Sequence, residues 1–479
     1  STDRLGIYAS GAHLPWFQEL FARAYGDDGP DEHAGFVDRA GMPPAGTTAF
    51  TQAEFDVVAE WFARGLPRLD QTLVTEPAPT ECLPSVGPEV ATHVAAMATG
   101  GWRQVNADAN LAMYGCAGAA TTLDCLGDQP LASTVGGATW ATGASSIRIL
   151  ATLPDTTAYW SRASADGRFF GVGGGTGSGN TSLMIDLVDD HPITMINAFY
   201  DPAFFPDNEG FVFQGAGRNV CRQSVLLGSP TTVNMNADPA CSDIDAVGLY
   251  EHVGRAPDGG DYFAISGNFV SDNGGHSATR DNPVAAFDDN ERVRLTPMVF
   301  NGSTFAPKTS TVADIPFEGD AVLAPSTKLM ATRLAGPGDA HLGYVVRAVQ
   351  ATASGGGYAV TIPEIGRYCT SGGKPAFSYD ERWMIYHHYV EDTDADAIEL
   401  GFTGHLDPGF ASYRTLGGAN LHVIDLLTGV DTRLTTMGPG RYALFPHFRS
   451  DGWVYFHVRQ GAGTEYFAAT DAVLRLEAE

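Results

Sequence analysis

Phe445-Pro446-His447-Phe448-Arg449-Ser450-Asp451-Gly452-Trp453-Val454-Tyr455-Phe456 reads as a strand, a tight Ser-Asp-Gly turn and a second strand of bulky residues. Aromatic and β-branched side chains favour extended backbone. Ser, Asp and Gly favour the tight turn between antiparallel strands. The same device recurs upstream in varied form: Ser164-Ala165-Asp166-Gly167-Arg168-Phe169-Phe170, Phe205-Pro206-Asp207-Asn208-Glu209-Gly210-Phe211-Val212-Phe213 and Ala256-Pro257-Asp258-Gly259-Gly260-Asp261-Tyr262-Phe263. Ala324-Pro325-Ser326-Thr327-Lys328-Leu329-Met330 and Ser378-Tyr379-Asp380-Glu381-Arg382-Trp383-Met384-Ile385-Tyr386 complete the set. Repetition of one supersecondary unit implies a repeat architecture rather than a single irregular sheet.

These six segments resemble the Ser-Pro-Asp-Gly repeats of TolB-like, WD40-like β-propellers. Leu421-His422-Val423-Ile424-Asp425-Leu426-Leu427-Thr428-Gly429 resembles the outer hairpin of such a blade, and Ser182-Leu183-Met184-Ile185-Asp186-Leu187-Val188 is a similar copy. The resemblance covers about two thirds of the chain. It implies a mainly β protein, a six-bladed β-propeller over 141–479 behind a small N-terminal α-helical domain. A strand near Ser145-Ser146-Ile147-Arg148-Ile149-Leu150 is placed to close the ring with the last blade, which would remove exposed sheet edges. Propellers host hydrolases, lyases and pure binding proteins alike, so the fold does not specify an activity.

Residues 1–75 read as helical. Leu14 to Tyr25 carries apolar residues at helical spacing up to Gly26, and Thr51-Gln52-Ala53-Glu54 is a capping box before a second helix ending at Gly65. With the intervening Gly41-Met42-Pro43-Pro44-Ala45-Gly46 loop, this order resembles the C-terminal half of a class I cytochrome c. No Cys-x-x-Cys-His motif occurs in the chain, so the covalent haem anchor of that family is missing. His13 and Met42 are the residues that an axial pair would use. Residues 76–140 read as a connector with a disulfide loop, including a helix from Gly87 to Ala98 that sets His93 and Met97 four apart on one face.

Asp and Glu number 56 against 28 Lys and Arg, a net charge of −28. Such a surface repels phosphate backbones and disfavours nucleic acid. Six scattered cysteines without a Cys-x-x-Cys pair disfavour zinc and fit disulfides in an oxidising compartment. Cys116–Cys125 and Cys221–Cys241 close short local loops, which leaves Cys82–Cys369. No apolar run approaches the roughly 20 residues of a membrane helix. A chain beginning Ser-Thr-Asp reads as a processed, exported form, periplasmic or extracellular.

Candidate ligand-binding residues stand just before the turns, where the innermost strand of a blade faces the channel: Arg162, Asp201, His252, Arg255, Lys374 and His447. Their mix of cations, histidines and a carboxylate suits an anionic or polar ligand. Asp272 and His276 flank a Gly-Gly pair and form a second candidate. Asp392, Asp394 and Asp396 alternate as in the first half of a calcium loop, making calcium the candidate metal. The chain has no Gly-x-Ser-x-Gly elbow, no His-Glu-x-x-His and no P-loop. The expectation is an exported propeller that binds a protein partner or a small polar ligand. Its alternative is a metal-dependent enzyme or redox protein using the channel or the cytochrome-like segment.

Overall fold

The computed structural model describes residues 87–100, 130–143, 145–153, 161–173, 181–187, 192–198, 202–214, 217–244, 249–256, 261–267, 287, 291–335, 342–460 and 464–478. All lie in the unit Pro79–Glu479. The cytochrome-like segment with His13 and Met42 lies outside the described residues, as do Asp201, Asp272, His276 and the Cys116/Cys125 loop.

The described chain is mainly β. Four sheets follow one another, each an antiparallel meander in its main strands. The first holds Ser161–Ala163, Phe169–Val172, Ser182–Asp186 and Ile193–Ile196; the second Ala203–Phe204, Gly210–Val212, Val220–Arg222 and Cys241–Ser242. The third begins Leu249–Arg255, Tyr262–Gly267 and Arg292–Phe300; the fourth holds Glu318–Leu323, Leu329–Ala335, Leu342–Ala348 and Glu364–Tyr368. Two further meanders are joined by a single parallel pair, Ala419 opposite Tyr442. The fifth runs Gly373–Phe377, Trp383–Tyr389, Ala419–Asp425 and Asp431–Arg433. The sixth runs Arg441–Phe448, Val454–Gln460 and Thr464–Thr470. Its fourth strand is Ile147–Thr152, paired antiparallel with Thr464–Thr470, so the two ends of the β region share one sheet.

The first strands of successive meanders touch in order from first to sixth, and Arg441–Phe448 touches Ser161–Ala163 in turn. Six apolar clusters fill the six spaces between neighbours. Phe169, Met184 and Phe211 lie between the first and second; Phe170, Trp453 and Phe467 lie between sixth and first. Both faces of a middle strand are therefore covered. Leu329–Ala335 and Ala419–Asp425 are buried at every position, where a sheet with one wet face would alternate. Each large apolar side chain so buried contributes roughly 1.5–3 kcal/mol.

The repeated turn works through one set of bonds. In the first copy Ser164 Oγ donates to Asp166 Oδ1 at 2.5 Å, accepts from Phe169 N at 3.0 Å, and Arg168 N donates to Asp166 Oδ1 at 3.1 Å. Ser378–Asp380, Trp383 N–Ser378 and Arg382 N–Asp380 repeat it at 2.5, 3.0 and 3.3 Å. The Asp-Leu endings explain themselves too: Arg168 pairs with Asp186 and Arg382 with Asp425, each N···O at 2.8 Å. The position after the turn Asp takes a positive φ, at Gly167 (72°) and Gly452 (91°), and also at Asn208 (63°) and Glu381 (58°). A side chain there costs strain, which the Glu381 carboxylate offsets. It accepts from Ser326 N and Oγ at 2.7 and 2.9 Å in the neighbouring turn, and meets His93.

His93 belongs to the expected helix, which spans Gly87–Gly100 and sets Val90 and Val94 into the cluster between the fourth and fifth meanders. Three first strands are broken at one place: Asp320, Lys374 and Phe445 have φ of 50°, 55° and 53°, and the ladder skips there. Such bulges re-aim side chains. Between Tyr389 and Ala419 the fifth meander carries an insertion with helices Asp394–Glu399 and Ala411–Leu416, built on its own small core of Val390, Ala397, Phe410 and Tyr413. Cys221 and Cys241 form a disulfide, as expected, and Cys369 is disulfide-bonded as well. Among the described residues no helix is long and apolar enough to cross a membrane.

Candidate functional site

The tight turns cluster at one end of the six meanders and are bonded to one another. Asp166 N donates to Asn208 Oδ1 at 3.0 Å, joining the first and second turns. Arg255 pairs with Asp207 at 3.1 Å, and its own N–H donates to Pro325 O at 2.8 Å. Ser326 binds Glu381, and Ser450 N donates to Ala165 O at 3.0 Å, returning to the first turn.

Inside this end lies a cavity of about 40 Å³, room for a few waters or one small polar group. Arg162, Phe204, Pro206, His252, Tyr379 and His447 are among its walls. Three of the sequence-derived candidates, Arg162, His252 and His447, therefore meet in one place. They arrive from the first, third and sixth meanders, each from the first strand.

Their roles differ. His447 Nε2 accepts from Ala163 N at 2.8 Å and its Nδ1 donates to Phe445 O at 3.2 Å. Both nitrogens are thus used on backbone, tying the sixth meander to the first. Burial and the Arg162 charge hold this imidazole well below its ordinary pKa, hence neutral. His252 is pressed down to about 3 by burial and then by Arg162. Its Nδ1 is buried with no hydrogen-bond partner. Arg162 Nη1 donates to Ser161 O at 3.1 Å. Tyr379 reaches in from the fifth turn; burial, Asp166 and Asp207 keep its phenol protonated. The aromatic second letter of a turn carries no signal for this role in the sequence.

Arg255 and Lys374 are engaged elsewhere. Arg255 lies between Asp207 and the Tyr262 ring, 4.6 Å from its centroid. Lys374 sits on a bulge and donates to Asp320 at 2.8 Å, with Arg333 on the other oxygen at 2.7 Å. The two cations hold the Asp320 carboxyl far below its usual range against burial.

The acidic run does not converge on one point. Thr393 caps the helix Asp394–Glu399 by accepting from Asp396 N. Asp394 turns to His405, at 2.8 Å from its N–H and 2.6 Å from its ring, while Asp396 turns to His388 at 2.8 Å and Glu391 N at 2.6 Å. A helical first turn fans its carboxylates outward instead of folding them round an ion. Among the described residues no cluster of three His, Cys, Asp or Glu side chains is arranged to hold a metal.

One constellation escaped the sequence reading. Ser161 Oγ bonds His457 Nε2, whose Nδ1 lies 3.7 Å from Glu465. The order Ser-His-Glu suggests nucleophilic catalysis. Yet the three residues are 0%, 0% and 1% exposed and wrapped by Phe170, Phe445 and Phe467. A substrate cannot reach that hydroxyl, so the group is a structural bond between meanders.

No protein family matches the chain by sequence. No curated protein matches it. Among solved structures it is similar to TolB from Acinetobacter baumannii, with 13% identity, 61% of this chain and 57% of that one covered, and a TM-score of 0.31. The match spans less than two thirds of TolB's length. It is also similar to the Myceliophteria thermophila Cps50 (Swd1) β-propeller domain, at 8% identity, 67% and 99% coverage and a TM-score of 0.36. The β-propeller domain of the Trilobed protease from Pyrococcus furiosus matches at 11%, 65% and 83%, with a TM-score of 0.30.

Proposed function

We propose that the chain is a six-bladed β-propeller that binds a protein partner or a small polar ligand at the turn end of its channel. The six meanders are its blades. The cyclic order of contacts between first strands supports six, as does the sharing of the last sheet by Ile147–Thr152. The observation that carries the binding reading is the polar cavity inside the turns, walled by Arg162, His252 and Tyr379. Concave sites with a few convergent polar groups on a rigid frame are the usual place for a ligand. The disulfide Cys221–Cys241 supports an exported setting. The net charge of −28 argues against nucleic acid as the partner.

The test is capture from native extract on immobilised full-length protein, comparing Tyr379→Ala at the cavity with Met195→Ala, exposed on the outer strand Ile193–Ile196. The reading expects Tyr379→Ala, with unchanged thermal unfolding, to lose what the wild type captures, and Met195→Ala to keep it. The opposite pattern overturns it.

A further inference from the structure

We propose that Asn301 is a site of self-modification, at which the backbone nitrogen of Gly302 attacks the side-chain amide carbon and the neutral amide becomes a carboxylate. The two residues are exposed at the tip of the hairpin between Arg292–Phe300 and Phe305–Pro307. Among the described asparagines, Asn301 alone is followed by glycine; Asn197, Asn208, Asn219, Asn234, Asn236 and Asn420 all precede a residue with a Cβ. A Cβ shields the nitrogen of its own residue, and glycine removes that shield while adding conformational freedom. Gly302 has a φ of 97°, and even a Cβ placed on it would meet no atom within 4 Å. The turn also prepares the carbonyl. Asn301 Oδ1 accepts from Ser303 N at 3.0 Å, Ser303 Oγ at 3.1 Å and Thr304 N at 2.9 Å. Three donors on one amide oxygen draw electrons from Cγ and stabilise the negative oxygen that forms when a nucleophile adds. The N–H groups of Asn301, Ser303 and Thr304 hold the turn, and that of Gly302 is not one of them.

The reaction balances with water alone as co-reactant. Solvent base takes the Gly302 N–H proton, the N–Cγ bond forms and the Cγ–Nδ2 bond breaks. The leaving nitrogen, which donates to Thr304 Oγ1 at 3.3 Å, departs as ammonia with one proton gained. Water then opens the five-membered imide at either carbonyl. Opening at Cγ gives aspartate on the original main chain. Opening at the main-chain carbonyl gives isoaspartate, with the chain running through Cγ. Either product adds one negative charge to a chain already at −28. The aspartate keeps the three donors on its oxygens, now as charge-assisted bonds. The isoaspartate lengthens the turn between Phe300 and Phe305, which pair across the hairpin. Phe305 packs 4.5 Å from the Phe205 ring in the core between the second and third meanders, so that core feels the longer turn.

Peptide mass spectrometry of the full-length protein, aged in ¹⁸O water at pH 6 and at pH 8, tests the proposal. The peptide holding residue 301 should gain the mass difference between NH2 and OH, with one ¹⁸O per event. Conversion should be faster at pH 8 and give both aspartate and isoaspartate. Gly302→Ala should slow it about tenfold or more by restoring the Cβ. Ser303→Ala should slow it about threefold by removing one donor from Oδ1. Alanine is strained at the φ of Gly302, so Asn301→Gln supplies a second arm: its longer side chain must close a six-membered ring, and conversion should stop. The folded protein should convert at least as fast as the urea-unfolded chain. A folded turn that converts about tenfold more slowly than the unfolded chain is protected, which overturns the proposal. Aspartate without isoaspartate, or a faster reaction at pH 6, marks direct hydrolysis and overturns it too, as does a rate unchanged by both Gly302→Ala and Asn301→Gln.

Discussion

Two buried histidine clusters sit where the sixth meander meets its neighbours, built from the same kinds of side chain. At one, Ser161, His457 and Glu465 bond in a row, with Arg459 closing on the carboxylate and aromatic rings on every side. At the other, Arg162, His252 and His447 surround open volume, and one imidazole nitrogen has no partner. Ser161 and Arg162 are adjacent in sequence yet fall on opposite sides of the strand, one into the packed interior and one into the cavity. The first cluster has the residue types of a catalytic group and no room for a substrate. The second has a less familiar set and has the room. Residue identity alone therefore does not separate the two; space and an unmet bonding demand do.

The largest effect should come from breaking the closed cluster. His457→Phe keeps the ring volume but leaves Ser161 Oγ and the buried Glu465 without their imidazole. Loss of one member of a buried polar group costs about 3 kcal/mol. Urea unfolding should show that loss. His447→Phe is intermediate: it orphans Ala163 N–H and Phe445 C=O and should cost about 1–3 kcal/mol in the same assay.

The pH dependence sharpens the contrast next. His252, His387, His447 and His457 are all lowered by burial first, and His252 and His447 further by Arg162. A histidine kept neutral in the fold but free to charge when unfolded stabilises above its unfolded pKa of about 6.5. That contribution is lost as pH falls below about 6.5. Stability should drop from pH 7 to 5, and His457→Phe should flatten the slope. His388 runs the other way. Burial lowers it, but Asp396 and Glu391 raise it on balance, so its contribution is full below about 6.5 and fades as pH rises through its folded value. Hydrogen-exchange protection of the helix Asp394–Glu399, taken relative to the intrinsic rise of exchange with pH, should accordingly fall above neutral pH, and Asp396→Asn should abolish that change.

The smallest stability effect belongs to the open cluster. His252→Phe removes an unsatisfied nitrogen and should shift the urea midpoint by no more than about 0.5 kcal/mol. A loss as large as that of His457→Phe would mean that His252 is structural and would erase the distinction.

Much of this organisation was legible in the chain. The turn letters work because Ser and Asp side chains bond backbone within a few residues, a local code that sequence displays. The placement of Arg162, His252 and His447 followed from counting back from those turns. Lys374 obeyed the same count and still went elsewhere, because the bulge at its own position turns it toward Asp320. The Ser161–His457–Glu465 group joins residues 296 apart, and nothing local announces it. The acidic run after Glu391 looked like a cation loop because its letters alternate. Thr393 followed by Asp396 was the better signal, since a hydroxyl there caps a helix. Tyr379 was hidden in plain view as a turn residue, because its place beside Arg162 and His252 depends on how distant meanders pack together.

The most direct measurement is a set of histidine-selective imidazole ¹⁵N spectra of the full-length protein at pH 7. The account predicts neutral rings at His252, His447 and His457, which burial holds below the ordinary imidazole range. A charged His252, His447 or His457 at pH 7 would contradict it.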